Sequence, residues 1–116
     1  MCQVLIIEDE PVITFHISDV VEEAGATSVT FAQTELEALS AAMERRPDII
    51  VSDVRLLTGT GPDAVTSIRL RVGRVPAIFI TGNPEALEGY DHDGVLGKPF
   101  KSDRLEQQVE RLAVGC

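Results

Sequence analysis

The chain has 116 residues, 44% of them apolar and 25% charged, which suits one cored domain and leaves little room for a second. Its 19 acidic residues outnumber 10 basic ones, for a formal net charge of −9, and this balance opposes contact with nucleic acid or an anionic membrane, where phosphates demand Lys and Arg. No apolar run approaches the roughly 20 residues that span a bilayer, and the run Val4–Ile7 is too short for a signal peptide before Glu8, Asp9 and Glu10 interrupt it, so the expected location is cytoplasmic.

Taken in chain order, Val4–Ile7 is short, β-branched and continuous, which predicts a buried strand. Pro11 suits a first helical position, and Ile13, Ile17, Val20, Val21 and Ala24 recur at helical spacing until Gly25 ends the helix. Ser28–Ala32 predicts a second strand. Thr34 followed by Glu37 is a capping-box pattern; it opens a helix on which Leu36, Leu39 and Met43 form one stripe, with Pro47 closing the segment. Ile49–Ser52 predicts a third buried strand. A Gly- and Thr-rich loop from Leu57 to Gly61 leads to a helix starting near Pro62, with Val65, Ile68 and Val72 inward. Ala77–Ile80 predicts a fourth strand.

The next stretch, Gly82–Asp93, contains Gly82, Pro84 and Gly89. Interior Gly costs a helix about 1 kcal/mol and Pro about 3, so at most one turn, about Pro84–Leu87, is expected there. Val95–Leu96 predicts a brief fifth strand. Ser102 is expected to cap a last helix whose Leu105, Val109 and Leu112 face inward. The two cysteines, Cys2 and Cys116, match no metal-ligand or redox spacing and are read as incidental thiols, a disulfide between the two ends being the alternative. His16 and His92 lack partners at ligand spacing and are assigned to a helix surface and a loop.

Five strands alternating with helices imply a parallel sheet covered on both faces, and right-handed crossovers make it doubly wound. In such sheets ligands and chemistry sit outside the carboxyl ends of the strands. Strand one is followed by Glu8 and Asp9, strand three by Asp53, strand four by Thr81 and strand five by Lys98. One crevice would then hold three carboxylates, a hydroxyl and an ammonium. Three close carboxylates repel one another, and a hard divalent cation with oxygen ligands, Mg²⁺, relieves that repulsion. Asp53 is the candidate nucleophile toward phosphorus, with Lys98 and Thr81 placed to stabilise the charge of a transferring phosphoryl group.

At this point the chain resembles the response-regulator receiver family of two-component signalling. The resemblance rests on VLIIEDEP at Val4–Pro11, IIVSDVRL at Ile49–Leu56, AIFITGN at Ala77–Asn83 and LGKPF at Leu96–Phe100. It implies a flavodoxin-like sheet of order 2-1-3-4-5 and a phosphoryl group received on Asp53 from a histidine kinase. It also implies Mg²⁺ held by Glu8, Asp9, Asp53 and the backbone carbonyl of Arg55, a switch hydroxyl at Thr81, a phosphate-pairing Lys98 and a cis Lys98–Pro99 bond.

VPAIFITGNPE is also similar to the PFxFATGY signature of an alphaproteobacterial receiver subgroup that includes PhyR-type stress regulators, a subgroup often partnered with HWE-type histidine kinases. Ile80 and Asn83 depart from that signature, and Val95 stands where most receivers carry Tyr or Phe. The usual aromatic switch is therefore ruled out. Residues 82–93 are expected instead to be mobile and to order on phosphorylation as Thr81 and Gly82 move toward the phosphoryl group, an ordered but irregular loop being the alternative.

Residues 1–116 are expected to form one receiver domain with no output domain, acting as a monomer or weak dimer. It would signal by protein contact or drain phosphoryl groups from a kinase, and it would not be an enzyme beyond its own phosphorylation and dephosphorylation. A pseudo-receiver that keeps the fold without the chemistry is the competing reading. A metal-dependent phosphatase would need an acid two residues beyond the nucleophile, where Arg55 stands, and a flavodoxin-like cofactor binder would need a phosphate loop where Glu8 and Asp9 stand.

Overall fold

Period-two alternation along the strands sorts their side chains onto two opposite faces, and both faces are apolar. The computed structural model describes residues 2–113 and residue 116. Its strands are β1 (Gln3–Ile7), β2 (Ser28–Ala32), β3 (Ile49–Asp53), β4 (Ala77–Thr81) and β5 (Gly94–Gly97), and its helices are α1 (Pro11–Glu23), α2 (Glu35–Glu44), α3 (Gly61–Val72) and α4 (Ser102–Leu112). All strand pairs are parallel and the order is β2-β1-β3-β4-β5, the doubly wound arrangement expected. Leu5, Ile7, Ile50 and Phe79 face α2 and α3, in one cluster with Ala38, Ala42, Val65 and Ile68. Val4, Ile6, Val51, Ile78 and Ile80 face α1 and α4, in a second cluster with Ile17, Val21, Leu105 and Val109. Nearly continuous apolar strands are the mark of a sheet buried on both sides.

Helix ends follow local chemistry. Pro11 opens α1, and Gly25, at φ 114°, supplies the left-handed turn that leads into β2. Thr34 Oγ1 accepts from Glu37 N–H at 3.1 Å, as the capping pattern requires, while the Glu37 carboxylate reaches back one residue further than usual, to Gln33 N–H at 2.8 Å. Thr60 caps α3 in the same way, accepting from Asp63 N–H.

Three expectations are corrected. The stripe Leu36, Leu39 and Met43 is not the buried face of α2: Leu36 and Met43 are exposed, and Ala38 and Ala42 are the buried residues. Small side chains four apart let α2 lie close to the sheet and α3, which turns the larger ones outward. Ser102 does not cap α4, because Lys101 occupies the cap position without a side-chain bond and Ser102 is already helical; its hydroxyl meets His16 Nε2 at 2.8 Å instead. Cys2 and Cys116 are not separate thiols but a disulfide pair with Cα atoms 4.9 Å apart. Topology explains the pairing. Cys2 precedes β1 at the amino rim of the sheet, and α4, running back against the strand direction, ends at that rim.

Residues 82–93 take an irregular path. Pro84–Leu87 is a 3₁₀ turn, and Leu87 is buried in the α2–α3 cluster. The far end is pinned by Asp93, whose carboxylate accepts from Ala77 N–H at 2.9 Å and pairs with Arg69 at 3.2 Å and Arg74 at 3.0 Å. Burial pushes the Asp93 carboxyl up, but the Ala77 N–H and the two guanidiniums outweigh it and hold it below its ordinary value. Asp93→Ala is expected to cost about 2 kcal/mol in denaturant unfolding, because it leaves Ala77 N–H without its acceptor and removes one carboxylate that pairs with Arg69 and Arg74. A change within measurement error would show that this anchor does not hold the segment.

Candidate functional site

Parallel pairing aligns the carboxyl ends of four adjacent strands. Ile7 lies opposite Ser52, Asp53 opposite Ile80, and Thr81 opposite Gly97, so Glu8, Asp53, Thr81 and Lys98 fall side by side along one rim. An open cleft of about 390 Å³ lies over it, lined among others by Asp9, Asp53, Arg55, Thr81, Asn83 and Lys98. Glu8, Asp9 and Asp53 each present a carboxylate oxygen within 4.8 Å of the others. Every residue expected from the sequence to act here is at this rim. The Lys98–Pro99 bond is cis, as the resemblance implies.

The charges interlock. Lys98 Nζ donates to Asp53 Oδ2 at 2.9 Å and lies 3.7 Å from Glu8 Oε1. Asp53 Oδ1 accepts from Val54 N–H at 2.7 Å. Glu8 is buried; its Oε2 accepts from Asp9 N–H at 2.9 Å, while Oε1 is buried without a hydrogen-bond partner. Burial, followed by the nearby charge of Asp53, pushes the Glu8 carboxyl up to about 7. Burial pulls the Lys98 ammonium down, but its hydrogen bond to Asp53 and the charges of Asp53 and Glu8 outweigh that and hold it above its ordinary value.

A buried, unpartnered carboxylate oxygen beside two further carboxylates is a donor set for a hard divalent cation. The arrangement also fits the charge of a transferring phosphoryl group, with an ammonium already bound to the nucleophile candidate.

Two further elements adjoin the site. Asn83 N–H donates to Thr81 Oγ1 at 3.0 Å, and Ala86 lines the cleft, so the irregular segment forms one wall of the site. Gly61 is the other: a β-carbon there would lie 1.8 Å from the carbonyl oxygen of Asp53. Only glycine allows α3 to start so close to the strand that presents Asp53. The glycine itself was visible in the sequence, but the closeness of Asp53 was not.

His16 is on the helix surface as expected, stacked on Phe100 with ring centroids 5.0 Å apart. His92 is in the loop as expected, edge-on to Phe79.

A domain model described as the response regulator receiver domain matches residues 4–110. The chain is 38% identical over 114 residues to the phyllosphere-induced regulator PhyR of Methylorubrum extorquens, covering 94% of this chain and 42% of that protein. The receiver domain of the Erythrobacter litoralis PhyR response regulator superposes with a TM-score of 0.89 at 31% identity, covering 97% of this chain and 90% of that one. The anti-anti-sigma factor PhyR of Bartonella quintana superposes at 0.83 with 34% identity, over 99% of this chain and 49% of that one. The chain therefore belongs to the response-regulator receiver family. It spans about half the length of the curated relatives it matches. Receiver domains are signalling modules that typically hold Mg²⁺ in an acidic pocket and work with histidine kinases.

The raised Glu8 carboxyl gives metal-free protein a pH signature. Between about 4.5 and about 7 folded Glu8 keeps a proton that the unfolded chain has released, so this residue makes stability fall as pH rises. Glu8→Gln is expected to remove that fall, gaining roughly 1–3 kcal/mol on wild type from pH 4.5 to pH 8 by chemical denaturation. Parallel curves for the two proteins would contradict the account.

Proposed function

We propose that this receiver accepts a phosphoryl group on Asp53 from the phosphohistidine of a histidine kinase and relays the signal by contact with other proteins in the cytoplasm. The observation that carries the reading is the short bond from Lys98 Nζ to Asp53 Oδ2 at the centre of the acid cluster. Attack by an Asp53 oxygen on phosphorus forms an acyl phosphate as the phosphorus–nitrogen bond of the donor breaks. The carboxylates of Glu8, Asp9 and Asp53 and the backbone carbonyl of Arg55 would hold Mg²⁺, which would supply Lewis-acid stabilisation of the phosphoryl oxygens.

This chain's own residues do the rest. Lys98 transfers its hydrogen bond from the carboxylate to a phosphoryl oxygen, so the charge that steadied the free site steadies the product. Thr81, while accepting from Asn83 N–H, still has a proton to donate to another phosphoryl oxygen. Any such turn of Thr81 changes what holds Asn83, and this links the state of Asp53 to the wall formed by residues 82–86. Val95 puts no aromatic ring on that path, so the link runs through the main chain. A kinase of the HWE type and draining of phosphoryl groups from that kinase fit the resemblance to PhyR-like receivers.

Incubation with Mg²⁺ and a small phosphodonor, read by intact mass, tests the proposal. One phosphoryl group per chain is expected, with no uptake by Asp53→Asn, which should fold as wild type does. No uptake by wild type would leave a binding module that keeps the fold alone. Lys98→Ala is expected to slow phosphorylation by about 100-fold, in line with the loss of one preorganised charge-stabilising donor; an unchanged rate would remove Lys98 from the chemistry.

A further inference from the structure

The disulfide lies at the other end of the sheet from Asp53 and joins two unequal partners. Cys2 is 3% exposed and fixed: its N–H donates to Thr27 Oγ1 at 2.9 Å, and its carbonyl accepts from Thr27 N–H at 2.9 Å and Ser28 N–H at 3.3 Å. It belongs to the same apolar cluster as Leu105 and Val109 of α4. Cys116 is exposed and lies just past the end of α4, its N–H donating to Ala113 carbonyl at 2.8 Å. The Cα separation of 4.9 Å falls in the range in which two cysteines bridge without moving the backbone. The bond therefore ties the exit of α4 to a fixed point just before β1, and closes a loop of 114 residues. Long loops are those in which a cross-link restricts the unfolded chain most.

We propose that Cys2 and Cys116 form a thiol–disulfide switch that sets how firmly the end of α4 is held to the sheet. Reducing compartments keep most thiols free, and disulfides that form there are characteristically transient and redox-sensing. The exposed Cys116 thiolate attacks one sulfur of a low-molecular-weight disulfide such as glutathione disulfide, giving a mixed disulfide and one glutathione thiol. The Cys2 thiolate then attacks Cys116 Sγ and expels the second glutathione. Two protein thiols are oxidised, one glutathione disulfide is reduced to two thiols, and the two protons pass to the glutathione thiolates. The oxidised form restrains the C-terminal turn of α4. The reduced form leaves that turn held by Leu112 and Ala113, which are only partly buried, while Leu105 and Val109 keep the rest of the helix in place.

The test uses the full chain in glutathione buffers spanning reducing to oxidising ratios, with thiols counted by alkylation and intact mass. Wild type is expected to pass from two free thiols to none as a monomer without bound glutathione. Its melting temperature should rise by about 5 °C or more on oxidation, and amide exchange should slow at the end of α4. Cys116→Ser, at an exposed position, should fold like reduced wild type and show neither change. Stable mixed disulfides, disulfide-linked dimers, or oxidised and reduced forms with equal melting and equal exchange in α4 would each overturn the proposal. So would stoichiometric Zn²⁺ uptake by the reduced protein that blocks oxidation, which would assign the two thiols, with Asp48 beside them, to a metal.

Discussion

Repulsion among three carboxylates organises one rim of this molecule. Glu8, Asp9 and Asp53 are brought within ligand distance of one another, Glu8 is buried with an oxygen that has no hydrogen-bond partner among the described residues, and the Lys98 ammonium faces the group. A site built this way is charge-balanced only in part. It gains from anything that adds positive charge on the carboxylate side, or that gives Lys98 a new anion to hold. Under the proposed function a divalent cation and a phosphoryl group would meet both demands together.

The sheet makes that concentration of charge possible at a tolerable cost. Strands β1, β3 and β4 are buried along their whole length and supply the stability that the rim gives up. Their parallel register carries Glu8, Asp53 and Thr81 to one line without help from loops. Gly61 allows α3 to begin against the Asp53 carbonyl. Asp93, Arg69 and Arg74 tie down one end of the irregular segment, and its other end, at Asn83 and Ala86, lines the cleft beside Thr81.

Much of this was legible in the residues. Buried strands announce themselves by short β-branched runs, and the strand-end rule for doubly wound sheets brings Glu8, Asp9, Asp53, Thr81 and Lys98 to the one rim where they lie. What failed were inferences that depend on packing in three dimensions. On α2 the choice of buried face turned on how closely two helices approach, and Ala38 and Ala42 won over Leu36 and Met43 because they are small. Ser102 reads locally as a cap, but a histidine from α1 claims its hydroxyl. The pairing of Cys2 with Cys116 depends on the direction in which α4 returns along the sheet, and no local spacing encodes that. The charge network of Asp93 likewise joins three elements far apart in sequence.

Titrating Mg²⁺ into the protein while following backbone amide resonances tests the electrostatic account most directly. Saturable shifts centred on residues 8–10 and 53–55, and weakened when Asp9 is replaced by Asn, are the predicted result. Amides in those two segments that stay unmoved by the ion, or shifts that scatter over the many other acidic residues, would contradict it.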